Sequence, residues 1–205
     1  MPDEEPAEKL ALDRLLSACR VDPTTGLYAF TDFMAVLPRL VESCSTSGER
    51  PVGVGVAVGD VDGLKSLIES PPDHDGGLMG HLRGHMFMSS LGSVASTLTK
   101  RLGVGQASMA TFGGDEIVLI VSSPCPMSFS AYLNAIRHAV ANALPRSISF
   151  AWTWLPGCPI AREAREYDTL LMELDRTLME RKRARRAGAD RSFCESVPAP
   201  GPARR

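Results

Sequence analysis

Residues 51–59 read Pro-Val-Gly-Val-Gly-Val-Ala-Val-Gly, carry no charge, and run straight into Asp60-Val61-Asp62-Gly63. A short continuous apolar run closed by a turn signal suits a strand buried on both faces. That one segment constrains the chain most, because helices must then pack around the sheet to which it belongs.

The flanking segments supply them. Residues 7–20 and 29–44 have helical periodicity, separated by the turn Asp22-Pro23-Thr24-Thr25-Gly26. A short helix is expected over 64–69. The breaker-rich stretch Pro71-Pro72-Asp73-His74-Asp75-Gly76-Gly77 follows as a loop, then a long helix over 79–102. Strands are expected over 108–112 and 117–122, joined by Gly113-Gly114-Asp115-Glu116 as a hairpin turn in which glycine permits positive φ. A helix over 128–143, a strand over 147–154 and a helix over 167–186 complete the order. This pattern predicts an α/β (α+β) domain with a mixed sheet of about five strands and helices packed around it. The domain is expected over 21–187, behind a tail and lead-in helix (1–20) and before a disordered tail (188–205).

Composition narrows the function. Of 205 residues, 44% are hydrophobic and 22% charged, enough for a real core. The net charge of −2 gives no global field toward nucleic acid or a membrane, so any anion site must be local. The five cysteines are scattered without metal-ligand or redox spacing. The acidic start is unlike a secretory leader, and no apolar run is long enough to span a bilayer. The chain is expected to be cytoplasmic.

Asp60 and the pair Asp115-Glu116 stand at two separate strand ends. Turns attract aspartate for local reasons, so each acid alone could be an ordinary strand exit. If the two strands are neighbours, however, three carboxylates converge, and like charges that close call for a cation. Gly113 and Gly114 would let a triphosphate approach the backbone.

Phe112-Gly113-Gly114-Asp115-Glu116-Ile117 resembles the signature hairpin of GGDEF domains, the diguanylate cyclases. Asp22-Pro23-Thr24-Thr25-Gly26-Leu27 is similar to their D-x-L-T-G-L, and Asp60-Val61-Asp62-Gly63-Leu64-Lys65 to D-[IV]-D-x-F-K. Gly80-His81-Leu82-Arg83-Gly84 matches most of G-H-x-x-G-D, and Ser149-Phe150-Ala151 sits where S-[IV]-G is usual. Residues 174–186 follow the terminal A-D-x-A-L-Y-x-A-K-x-x-G-R. The resemblance covers roughly residues 18–187 and implies a palm-like fold shared with adenylyl cyclases and polymerases. It implies a homodimer in which each subunit holds one GTP, the two being joined into cyclic di-GMP with Mg²⁺ or Mn²⁺. Asp60, Asp115 and the Val61 carbonyl would bind metal. Glu116 would be a further ligand or activate the 3′-hydroxyl. Lys65, Lys182 and Arg186 would contact phosphates. Lys182 and Arg186 also lie in a basic run that suits a helix C-terminus.

The sequence departs from the pattern at the base. The guanine-reading Asn falls at Ile68 and the Asp of G-H-x-x-G-D at His85. Isoleucine cannot make edge hydrogen bonds, so an altered base pocket is expected. Asp73, His74 and Asp75 in the long loop are either replacement base contacts or a solvated turn. The family's product-inhibition R-x-x-D is absent at residues 104–107. Three functions follow. One is a nucleotidyl cyclase; another is an inactive, degenerate GGDEF domain that binds nucleotide or a regulatory protein partner; the third is a purely structural scaffold.

Overall fold

A computed structural model describes residues 14, 16–46, 53–69, 80–102, 107–111, 114–156, 164–188 and 194–198. The elements are α1 (Phe30–Thr46), β1 (Gly53–Val61), α2 (Leu64–Glu69), α3 (His81–Leu102), β2 (Ala107–Thr111), β3 (Glu116–Ser123), α4 (Pro126–Ala143), β4 (Ile148–Leu155), α5 (Ala164–Arg186) and β5 (Cys194–Ser196). The strands form one sheet in the order β2-β3-β1-β4-β5. The first three pairings are antiparallel and β4–β5 is parallel, so the sheet is mixed. Of the lead-in helix expected over 7–20, only Arg14, Leu16 and Ser17 are both described and helical. Leu16 packs into the core beside Phe33 and Leu37.

The valine–glycine alternation of β1 explains its double burial. Val54, Val56 and Val58 face one layer with Phe33 and Leu37 of α1 and Leu170, Leu174 and Leu178 of α5. The opposite face of β1 is nearly bare backbone, and aromatic rings lie on it. A Cβ on Gly55 would come 2.3 Å from the Phe129 ring, and one on Gly53 2.1 Å from Trp154. Phe129 meets Trp152 edge-on at 5.6 Å, within a second core cluster that includes Phe87, Leu91, Leu133 and Ile136. Small residues on one face of a strand thus admit large ones from α4 and β4, which keeps the layer close-packed.

Three expectations need correction. β1 does not stop before Asp60 but runs two residues further, because Asp60 pairs with Glu116 on one side and Ser149 on the other. α4 starts at Pro126 rather than 128, since proline fits the first turn of a helix where no amide donor is needed. The tail after 188 is not wholly irregular: Cys194–Ser196 pairs with Phe150, Ala151 and Trp152 of β4. At the other edge of the sheet, Tyr28 N donates to Met109 O at 3.1 Å and Thr111 N to Tyr28 O at 3.0 Å.

The opening turn is locked by its own side chain. Asp22 Oδ1 accepts from Thr24 N at 3.1 Å, Thr25 N at 2.8 Å and Thr25 Oγ1 at 2.9 Å. Gly26, at φ +70°, completes it in a conformation that favours glycine. Downstream, Arg20 N and Nε both donate to Asp32 in the first turn of α1 at 2.8 Å. The Asp22 turn lies against α3, where a Cβ on Gly92 would stand 1.9 Å from the Thr25 carbonyl oxygen. Backbone cannot swing aside as a side chain can. Gly92→Ala should therefore destabilise the fold by about 1–3 kcal/mol, the usual cost of overpacking. Urea unfolding followed by circular dichroism checks this, and an unchanged midpoint would contradict the close approach.

Candidate functional site

The register that buries Val54, Val56 and Val58 places Asp60 next on the same face, 5% exposed, opposite Glu116. Val61 N donates to Asp115 O at 3.1 Å, so the β1–β3 ladder continues one step and draws Asp115 alongside. One carboxylate oxygen from each of Asp60, Asp115 and Glu116 lies within 4.8 Å of the others. Convergence thus follows from two adjacent antiparallel strands whose ends coincide.

Burial raises the Asp115 carboxyl above its ordinary value. Glu116 is raised too, first by burial and then by the charges of Asp175 and Asp115. Asp175 lies on α5 and was not singled out as a site residue. One of its oxygens is buried with no hydrogen-bond partner among the described residues. Only its place in the terminal motif hinted at a role, because the facing of a helix is set by tertiary packing.

On α5, Lys182 stands one turn beyond Leu178 and prolongs the buried stripe of Leu170, Leu174 and Leu178. Its ammonium, assigned to phosphate by the resemblance, hydrogen-bonds Asp60 Oδ1 and donates to the Val61 carbonyl at 3.0 Å. It also lies 3.6 Å from Asp62 Oδ1. Burial, then the charges of Arg185 and Arg186, pull its pKa down to about 8. The neighbouring Arg185, passed over in the sequence, donates to Asp62 at 3.2 Å and to Ser149 Oγ at 2.7 Å. Ser149 Oγ donates in turn to Asp62 at 2.7–2.8 Å. Arg186 is exposed, and its charge is felt by both Asp62 and Lys182.

Asp115 also faces a cavity of about 500 Å³, bounded by the Asp22 turn, α2, the start of α3 and Thr111. Leu64, Ile68 and Met88 give it an apolar wall, while Lys65, His81 and His85 stand on its polar side. Lys65 is exposed and ion-paired to Glu69 at 3.7 Å. Ile68 packs on buried Gly84, where a Cβ would come 2.9 Å from its Cδ1. Gly114 borders the cavity and a Cβ there would meet nothing within 4 Å. It is not among the glycines with positive φ, which corrects the turn geometry expected for it: its contribution is open space. Gly113, the loop residues Asp73, His74 and Asp75, and residues 104–106 of the missing R-x-x-D lie outside the described residues.

The arrangement suits a hard divalent cation. Magnesium takes oxygen ligands, typically one or two carboxylates with phosphate and water completing the shell. Three carboxylates that can meet one ion and a main-chain carbonyl beside Asp60 form such a donor set. The adjoining cavity can take a nucleotide-sized ligand.

No protein-family model matches the chain, and no curated protein matches it in sequence. Solved structures do match in fold. The diguanylate cyclase SiaD of Pseudomonas aeruginosa, solved with its activator SiaC, superposes with a TM-score of 0.62 at 19% identity, over 94% of this chain and 67% of that one. The coiled coil and GGDEF domain of DgcB from Caulobacter crescentus, solved with c-di-GMP, gives 0.61 at 16% identity, over 93% and 91%. The FimX GGDEF domain of P. aeruginosa gives 0.60 at 18% identity, over 86% and 98%. The fold is that of a GGDEF domain. No helix among the described residues is long and apolar enough to cross a membrane.

The charge balance around Glu116 is open to measurement. Asp175→Asn should lower the Glu116 titration midpoint by removing a repelling charge, as read by carboxyl ¹³C NMR. An unmoved midpoint would mean that burial and Asp115 raise it without Asp175.

Proposed function

We propose that the chain is a divergent GGDEF-type domain that binds a nucleoside triphosphate with Mg²⁺ or Mn²⁺ and condenses two such molecules, one on each of two copies, into a cyclic dinucleotide such as cyclic di-GMP. The observation that carries this reading is the trio Asp60, Asp115 and Glu116, able to meet one ion, with Asp115 also lining a nucleotide-sized cavity. The shared fold and the ordered motifs support it.

The chemistry assigns distinct tasks to these residues. A 3′-hydroxyl of one nucleotide attacks the α-phosphorus of the other, a P–O bond forms, and pyrophosphate leaves. Divalent cations held by the carboxylates would stabilise charge on the attacking and leaving oxygens. Glu116, with its raised pKa, is suited to take the hydroxyl proton. Lys65 and Arg186, both exposed, can turn toward phosphate. Gly114 leaves room for the phosphates to approach the backbone.

Ile68 and His85 favour a changed base preference. A pocket built to hydrogen-bond a base edge rejects other bases because its own polar groups would be left unpaired. An apolar wall of Leu64, Ile68 and Met88 imposes no such penalty, so GTP and ATP should bind with affinities within about tenfold of each other. The same feature also supports a second reading, in which the domain binds nucleotide or a regulatory protein partner without turnover.

Incubating the purified protein with each of the four NTPs and Mg²⁺ or Mn²⁺, with pyrophosphate release and mass spectrometry as readouts, decides between them. A cyclase gives a cyclic dinucleotide, and Asp115→Asn should lower its rate by at least about 100-fold. Calorimetric binding without pyrophosphate from any NTP would leave the binding module. Ile68→Asn should then shift affinity toward GTP if the wall at position 68 governs base choice.

A further inference from the structure

We infer that Lys182 is a built-in counter-cation of the carboxylate site, which a divalent metal must displace and which the arriving triphosphate then receives. The inference rests on the metal-site reading above and adds a regulatory step to it.

The Lys182 side chain is 9% exposed, and its ammonium is bonded both to the Asp60 carboxylate and to the Val61 carbonyl. Those two oxygens are the ones that the family resemblance assigns to metal. An ammonium and a divalent ion cannot both occupy the space between them. The lysine is also held in place by its surroundings. Leu178 anchors α5 one turn earlier, and Arg185, three residues on, bonds Asp62 and Ser149. Without a cation the buried Asp60 charge would be unpaired, and charges taken from water in that way are strongly disfavoured. The protein thus supplies the missing charge itself.

Competition has two consequences. Metal binding without nucleotide is weakened by the cost of dislodging the ammonium. Once dislodged, Lys182 has lost the Asp60 carboxylate and keeps only the longer contact to Asp62, at 3.6 Å, so it can turn to phosphate, and metal and triphosphate raise each other's affinity. The site resists metal alone and opens to metal and nucleotide together.

The test is Mn²⁺ binding to the full chain, followed by calorimetry and by the electron paramagnetic resonance of free Mn²⁺, in wild type and Lys182→Met. Without nucleotide, Lys182→Met should bind Mn²⁺ at least about tenfold more tightly, within the usual range of coupling between sites. Mn²⁺ should also raise its melting temperature more than that of wild type, because the metal now answers an unpaired carboxylate. Added tripolyphosphate should tighten Mn²⁺ binding in wild type and much less in the variant. Equal or weaker Mn²⁺ binding by folded Lys182→Met overturns the proposal. If the variant does not fold, a crystal of wild type grown with Mn²⁺ decides: Mn²⁺ on Asp60 with the Lys182 ammonium moved away supports it, and Mn²⁺ bound with both lysine contacts intact overturns it. Absence of Mn²⁺ binding in wild type, with and without tripolyphosphate, would instead remove the metal-site reading itself and the proposal with it.

Discussion

Asp60 is an acid in the middle strand of the sheet, where water cannot reach it freely, and the way its charge is met organises everything around it. The row Val54-Val56-Val58 would continue into a fourth apolar residue, and the α5 stripe would end in another leucine, were both rows purely hydrophobic. Each instead ends in a charge, and the two charges meet. Removing one partner of such a buried pair costs about 3–5 kcal/mol in other proteins. The contact therefore fixes the position of α5 along the sheet, a register that leucines alone would leave loose. Arg185, Asp62 and Ser149 repeat the connection one step away.

That register decides which groups share the site. Glu116 lies across the ladder from Asp60, Asp115 follows one residue before it, and Asp175 approaches from α5. Burial raises the Asp115 and Glu116 carboxyls above their ordinary values, while the lysine keeps the cluster from being a bare concentration of negative charge. Asp115 belongs both to the cluster and to the cavity wall, and so links the acidic centre to the space where a ligand would lie.

The sequence made the local elements readable and left the long-range pairs hidden. The uncharged run of residues 51–59 pointed to a doubly buried strand, and the ordered motifs pointed to the fold. Helix ends were readable where a glycine followed, as at 102 and 186, and drifted at other ends, even at Pro126. The end of β1 was misplaced because an aspartate inside a buried strand is tolerable only with a partner, and that partner stands 122 residues away. Nothing local distinguishes Lys182 from its basic neighbours, nor Arg185 from Arg186. Which of them turns inward depends on helical phase against the sheet, and therefore on packing. That position 68 offers no hydrogen bond was legible because a single residue's chemistry sufficed, and Ile68 lies in the apolar wall of the cavity.

The two borders of the sheet have a consequence of their own. Tyr28 ties up β2 on one flank, and the three residues of β5 lie along β4 on the other. Short or covered margins deny an incoming chain the row of free amides and carbonyls along which proteins commonly stick together. Two molecules of this kind would have to meet through side chains and loops, in a contact able to come apart, rather than by fusing their sheets into one. The proposed reaction, which would draw a nucleotide from each of two copies, would be better served by such a separable encounter.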